Sequence, residues 1–259
     1  MSPKGKYMKQ KEYSVKKILS NILLIICLIG IVISIYKIID WSKNNKKTSE
    51  IIANINNVVT IREEENLSLS EKYNIDFEKL KNMNSDTVGW LKVDGTDIEY
   101  PVVQGKDNAF YLKHSFDKTY NAAGWIFADY SNEFGENKDK NTVIYGHNRR
   151  DGSMFCSLKD ILKSEWYENA QDKKVIFITE NEEIVYKPFS AYEIKQESYY
   201  VTTKFSSKEE YGKFIKTIKS RSHILFNVEV TEEDEILTLS TCANNNDYRV
   251  VLHAKRVAE

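Results

Sequence analysis

The sequence has few cysteines and almost no net charge, and both features limit the class of protein that it can encode. Only three of its 259 residues are cysteines. Cys27 lies in a long apolar run, which leaves Cys156 and Cys242, too few for a disulfide framework. No two cysteines or histidines have the spacing of zinc ligands, so we expect no metal and no other cofactor. The net charge of −1 provides no overall field for nucleic acid, which is not expected as a partner.

The N-terminal region predicts a membrane anchor. Residues 1–17 carry six lysines against the single acid Glu12, and residues 18–36 are almost entirely apolar. About 19 residues suffice to cross the hydrocarbon core of a bilayer. No A-x-A cleavage pattern follows, so we predict an uncleaved anchor at 18–36 rather than a signal peptide or a buried core helix. The basic flank predicts that residues 1–17 form a cytoplasmic tail and that the rest of the chain is outside.

A polar stretch at 37–75 separates this anchor from the part of the chain that is dense enough in apolar residues to form a core. Isoleucines and valines between 51 and 61 recur at roughly helical spacing. We interpret the stretch as a stalk or N-terminal helix, with a loosely ordered linker as the alternative. The main domain is then 76–259, beginning with a short helix at 76–83.

From residue 87 onward the pattern is mostly β. Eight segments have strand-like composition or alternation: 89–93, 98–103, 125–128, 142–145, 174–179, 183–195, 235–242 and 249–257. Two helical insertions are expected, at 154–170 and at 208–221, the second beginning with a capping box of Ser206 and Glu209. Eight short strands with sparse helices predict a mainly β domain that closes into a barrel.

The last two predicted strands bring a cysteine and an arginine together. The first strand ends at Cys242, a short polar loop follows, and the second strand begins at Arg249. An antiparallel hairpin with so short a loop places Arg249 beside Cys242, where a guanidinium would stabilise a thiolate. The alternative is a packed cysteine beside a solvated arginine.

A histidine also ends a strand. The segment 141–146 is apolar and leads through Gly146 to His147, which is positioned to exchange protons with a neighbouring site. A lone histidine is often structural. Together, however, Cys242, His147 and Arg249 form a set suited to acyl transfer through a thioester.

These segments resemble the sortases, the cysteine transpeptidases of Gram-positive cell surfaces. Residues 238–242 read TLSTC, similar to the T-L-x-T-C signature of the family, with Arg249 and the YGHN segment at 145–148 in the matching places. The segments at 88–91, 98–104 and 107–112 resemble class B members. The resemblance runs from about Phe77 to the C-terminus. It implies an eight-stranded sortase-type β-barrel with N-terminal helices and a long helix inserted before the cysteine strand.

The resemblance also implies roles for single residues. Cys242 would be the nucleophile, His147 the acid and base, and Arg249 the donor to the substrate carbonyl or oxyanion. Other positions match residues that line the peptide groove, with core packing or turn capping as the alternative for each: Asn108, Leu112, Tyr145, Ser240, Thr241, Tyr200 and Val201.

The function implied is that of a membrane-anchored class B sortase. Such an enzyme cleaves a C-terminal sorting signal of the N/S-P-x-T-N/G kind after Thr and passes the acyl group to an amine of the peptidoglycan stem or cross-bridge. Its partners would be surface proteins with that signal, the peptidoglycan amine and the cell membrane. A hydrolytic cysteine peptidase and a non-catalytic surface-anchored binding domain are the alternatives.

Overall fold

A computed structural model describes residues 3–61, 72–135, 139–170, 172–195, 197–242 and 248–257, and at residues 3–14, 61 and 242 it describes the backbone. The chain divides into two compact units, residues 1–47 and 48–259. The loop 243–247 of the predicted hairpin and residues 62–71 of the predicted stalk lie outside the described residues.

The first unit consists of helix α1. This helix runs from Pro3 to Asn56, and its last residues, from Thr48 onward, belong to the second unit. Over 42 residues, Val15–Asn56, it is long and apolar enough to cross a membrane by length and composition. It includes the predicted anchor at 18–36, so the N-terminal helix is a candidate membrane anchor.

The second unit is built on strands joined by short helices. Its elements are β1 (Val59–Ile61), β2 (Tyr73–Ile75), α2 (Phe77–Met83), β3 (Thr87–Val93), β4 (Glu99–Val103), β5 (Phe127–Ala128), β6 (Asn141–Gly146), α3 (Ser164–Tyr167), β7 (Val175–Ile178), β8 (Glu183–Lys195), α4 (Lys208–Ser220), β9 (Ile236–Cys242) and β10 (Tyr248–Val257), with 3₁₀ turns at Phe110–Leu112, Cys156–Leu162 and Tyr199–Val201.

Strands β3 to β10 form a closed barrel in the order β10-β8-β7-β3-β4-β5-β6-β9. The prediction of an eight-stranded barrel is therefore confirmed. Six of its strand pairs are antiparallel, while β4–β5 and β6–β9 are parallel. Pro188 lies in β8 where the register with β10 shifts, as expected for a residue that cannot donate to a ladder.

The barrel encloses one hydrophobic core, and α4 covers a second. The first core contains large aromatic side chains with at most 1% exposure, including Trp90, Trp125, Phe155 and Phe177. The second lies where α4 packs on the barrel and includes Phe189, Tyr192, Tyr211, Ile218 and Val251. The helix inserted before the cysteine strand is thus present and is held by apolar packing.

Three local predictions were wrong. The expected helix at 154–170 is a 3₁₀ turn followed by the four residues of α3. The N-cap of α4 is Ser207, which accepts from the Glu210 N–H, so the Ser206–Glu209 box is one residue out of place. Helix α1 ends at Asn56, and Val59–Ile61 instead pairs with Tyr73–Ile75 as a two-stranded sheet.

Candidate active site

The parallel pair β6 and β9 brings two of the predicted residues to one end of the barrel. Tyr145 pairs with Ser240, and Gly146 pairs with Thr241. The Thr241 hydroxyl also donates to the Gly146 carbonyl, which locks the register at its last pair. His147 and Cys242 are the next residues on their strands, so the sequence prediction that both end neighbouring strands at one site agrees with this register.

Strand β10 returns the arginine to the same place. Arg249 pairs with Cys242 across the antiparallel β9–β10 ladder, which is the hairpin geometry expected from the sequence. Arg249 is half-buried, and its Nη1 donates to the Tyr248 carbonyl at 3.3 Å. The backbone therefore places the guanidinium residue directly opposite the cysteine.

His147 is oriented by a backbone carbonyl. Its Nε2 lies 2.9 Å from the carbonyl oxygen of Leu112. Because a carbonyl can only accept, the neutral imidazole carries its proton on Nε2 and keeps a lone pair on Nδ1. Burial lowers the pKa of His147, opposed by the Leu112 carbonyl and reinforced by the nearby charges of Arg149 and Arg249.

A groove of about 300 Å³ runs along this end of the barrel. Its lining comprises nine of the ten predicted site residues and four that the sequence analysis did not select: Asn108, Leu112, Tyr145, His147, Tyr200, Val201, Ser240, Thr241 and Arg249, together with Phe127, Gly146, Glu197 and Ser198. The tenth predicted residue, Cys242, is described by its backbone alone. Glu197 and Ser198 precede the Tyr199–Val201 turn and carry no motif that would have pointed to them.

Hydrogen bonds hold the groove side chains. The Tyr200 hydroxyl lies 3.1 Å from Ser240 Oγ, which ties the 3₁₀ turn to the cysteine strand. The Tyr145 hydroxyl donates to Asp129 at 2.8 Å. Burial raises the pKa of Tyr145, and the charge of Asp129 raises it further, so this phenol stays protonated.

Another histidine is buried away from the groove. His253 is fully buried, with Nδ1 2.8 Å from Thr238 Oγ1 and Nε2 2.9 Å from the Tyr192 hydroxyl. Burial lowers its pKa to about 3, so it is neutral at physiological pH. These contacts give His253 a structural role in the packing between β8, β9 and β10.

Comparisons with known proteins define the family to which the chain belongs. The chain matches the model of the Sortase domain family over residues 91–257. It is 37% identical over 191 residues to Sortase B of Listeria monocytogenes, covering 70% of this chain and 73% of that protein.

Solved structures agree. Sortase B of Bacillus anthracis in complex with AAEK1 superposes with a TM-score of 0.70 at 35% identity, covering 85% of this chain and 99% of that one. A Staphylococcus aureus sortase B–substrate complex superposes with a TM-score of 0.65 at 33% identity, covering 84% and 94%.

The fold and these matches define a cysteine transpeptidase of the kind that anchors surface proteins. The chain belongs to the sortase family, and its resemblance is to class B.

Gly124 allows the chain to approach His147, and replacing it should impair the enzyme. Its φ of +61° suits glycine, and a Cβ there would lie 2.6 Å from the Tyr111 carbonyl oxygen, 2.8 Å from His147 Cδ2 and 3.0 Å from the Leu112 carbonyl oxygen. We expect Gly124→Ala to displace the imidazole and its acceptor and to lower kcat/KM roughly 10²-fold, as misplaced catalytic groups do.

Gly135→Ala is the matched control for this prediction. Its φ is also positive, at +98°, but no atom of the described residues lies within 4 Å of the added Cβ. Both variants thus place an alanine at a positive φ, but the alanine at position 135 has no contact with His147. Equal losses of kcat/KM in the two variants, or wild-type kcat/KM in Gly124→Ala, would refute the positioning role.

Proposed function

We propose that this sortase cleaves a C-terminal sorting signal of the N/S-P-x-T-N/G type after Thr and transfers the acyl group to a peptidoglycan amine. The observation that carries the proposal is the β6–β9 register, which brings the strand ends at His147 and Cys242 together beside the groove. Surface proteins bearing the signal are the acyl donors.

In the first step, the Cys242 thiol passes its proton to His147, and its sulfur attacks the Thr carbonyl carbon of the signal. The tetrahedral intermediate collapses to a thioester as the C–N bond breaks, and His147 gives a proton to the departing amine. In the second step, the acceptor amine loses a proton to His147 and attacks the thioester, which releases Cys242. After both steps the Cys242 thiol and the neutral His147 are regenerated, and the reaction requires no cofactor.

Arg249 serves as the donor to the carbonyl oxygen and the oxyanion. Its half-buried position opposite Cys242 supports a directional role, because a planar guanidinium directs its N–H groups along fixed lines. The groove residues hold the peptide on either side: Asn108, Leu112, Tyr145, Ser240, Thr241, Tyr200 and Val201.

The first test separates transfer from hydrolysis. Full-length protein in detergent should convert a fluorogenic sorting peptide to an amide product when a primary-amine acceptor is added, and Cys242→Ala should abolish cleavage. A wild-type protein that releases only the free acid at every amine concentration would be a hydrolytic peptidase.

Cys156→Ala is the matched control for this test. Cys156 begins the 3₁₀ turn that follows the histidine loop, and the groove lining does not include it. This variant should keep most of the wild-type rate. Equal loss in both cysteine variants would contradict a single nucleophile at Cys242.

The role of Arg249 is tested by charge conservation. Arg249→Lys keeps the positive charge but loses the planar guanidinium with its fixed N–H directions. If the arginine donates directionally, the lysine variant should lose about 10²–10³ in kcat, comparable to removal of one oxyanion-hole donor. A rate within a few-fold of wild type would mean that Arg249 acts through its field on the thiolate instead, and a shifted pH profile of Cys242 alkylation in Arg249→Ala would support that reading.

We further propose that residues 18–36 span the membrane once, with residues 1–17 inside and the catalytic domain outside. The lysines before the apolar segment support this orientation. Protease added to intact protoplasts should digest the catalytic domain. Digestion only after permeabilisation would reverse the orientation.

A further inference from the structure

A buried carboxylate lies beneath the groove without being part of its lining. Asp129 directly follows β5 and is 5% exposed. Its backbone N–H donates to the Val143 carbonyl of β6, which fixes its main chain to the strand that carries Tyr145. Burying a carboxylate is costly unless hydrogen bonds compensate its charge, so the partners of Asp129 indicate its role.

Four hydrogen bonds compensate that charge. Oδ2 accepts from Asn108 Nδ2 at 2.7 Å and from the Tyr145 hydroxyl at 2.8 Å. Oδ1 accepts from the backbone N–H of Ser131 at 2.9 Å and from its hydroxyl at 2.7 Å. One oxygen therefore faces two groove residues, and the other is held by the loop that follows β5.

These hydrogen bonds fix which groups of Tyr145 and Asn108 can donate to a ligand and which can accept. An ionised carboxylate only accepts hydrogen bonds, so the Tyr145 hydroxyl must donate its proton to Asp129. The phenolic oxygen of Tyr145 keeps its lone pairs and can accept from a further donor. The Asn108 amide cannot rotate by 180°, because its Nδ2 faces Asp129 and its Oδ1 accepts from the Tyr130 N–H at 3.0 Å. The second N–H of the Asn108 amide is not directed at Asp129 and can donate to another group.

A further contact reaches the segment that follows the Tyr199–Val201 turn. The Ser131 hydroxyl lies 3.1 Å from Thr203 Oγ1, and Thr203 closely follows the turn that carries Tyr200 and Val201. Asp129 is thus bonded directly to the groove residues Asn108 and Tyr145 and connected through Ser131 to Thr203.

We propose that Asp129 is a specificity-determining positioning residue of the sorting-signal groove. It sets Tyr145 as an acceptor and Asn108 as a donor, so that the groove recognises an extended peptide backbone presenting an N–H and a C=O. This inference rests on the proposed peptide substrate and deepens it, since it assigns recognition at this point to the main chain of the signal.

The test is the isosteric variant Asp129→Asn in the full-length protein. The side-chain amide of the variant must direct its N–H groups either at the Asn108 amide N–H or at the Ser131 backbone N–H. At least one hydrogen bond is therefore lost, and the donor role of Asn108 and the acceptor role of Tyr145 are no longer fixed. We expect Kd for a sorting peptide, measured in a Cys242→Ala background, to rise roughly tenfold to hundredfold, as for loss of a charge-assisted hydrogen bond. In the active enzyme KM should rise by a similar factor, while the rate of Cys242 alkylation stays unchanged.

A double-mutant comparison separates positioning from general destabilisation. In a protein already carrying Asn108→Ala and Tyr145→Phe, adding Asp129→Asn should change Kd by less than about twofold, because the residues through which Asp129 acts are gone. Ser190→Ala is the stability control: its buried hydroxyl donates to the Ile218 carbonyl, away from the groove. It should leave Kd and KM at wild-type values.

One further variant keeps the proposal testable if Asp129→Asn folds poorly. Ser131→Ala retains the carboxylate but removes one of its donors and the link to Thr203, and it should raise KM a few-fold. Unchanged Kd in Asp129→Asn, or additive losses with Asn108→Ala and Tyr145→Phe, would overturn the inference. A wild-type protein that neither binds nor cleaves the peptide would instead refute the proposed function.

Discussion

The constraint on which the site depends is the parallel pairing of β6 and β9. Antiparallel neighbours place the end of one strand beside the start of the next, whereas parallel neighbours bring two C-terminal ends together. The register Gly146–Thr241 leaves His147 and Cys242 as the next residues on adjacent strands. Because β10 then returns antiparallel to β9, its first residues arrive at the same end, and Arg249 lies opposite Cys242. A slip of one residue would turn alternate side chains to the wrong face.

Buried polar side chains connect the barrel to the groove. The Thr238 hydroxyl donates to Asn141 Oδ1 at 2.7 Å and therefore accepts from His253, which fixes the proton of that neutral imidazole on Nδ1. The Asn141 amide donates in turn to the Thr202 carbonyl at 2.9 Å, just beyond the turn that carries Tyr200. The groove wall is thus held by oriented bonds to buried side chains of β6, β9 and β10, and hydrogen-bonded networks of this kind rigidify a structure.

Strand positions were predictable because alternation and β-branched composition are local properties of the sequence, and each of the eight barrel strands overlaps its predicted segment. The catalytic candidates followed from strand ends and from the family motif. The short sheet of β1 and β2 was not predictable, because three-residue strands carry too little pattern. Asp129 was missed for a related reason. Its role depends on contacts with Asn108 and Tyr145, 21 and 16 residues away, and no spacing rule reports them.

Among the described residues, the hydrogen-bond partner of His147 is the Leu112 carbonyl rather than a carboxylate, and this bears on the charge of the imidazole. A carboxylate would stabilise the imidazolium and raise its pKa, whereas the Leu112 carbonyl is neutral and cannot outweigh burial and two nearby arginines. His147 is therefore mainly neutral in the free enzyme, with its Nδ1 lone pair available. If Cys242 is the nucleophile, the proton for the departing amine comes from its thiol by way of His147. Formation of the attacking sulfur and protonation of the leaving group are then parts of one proton path.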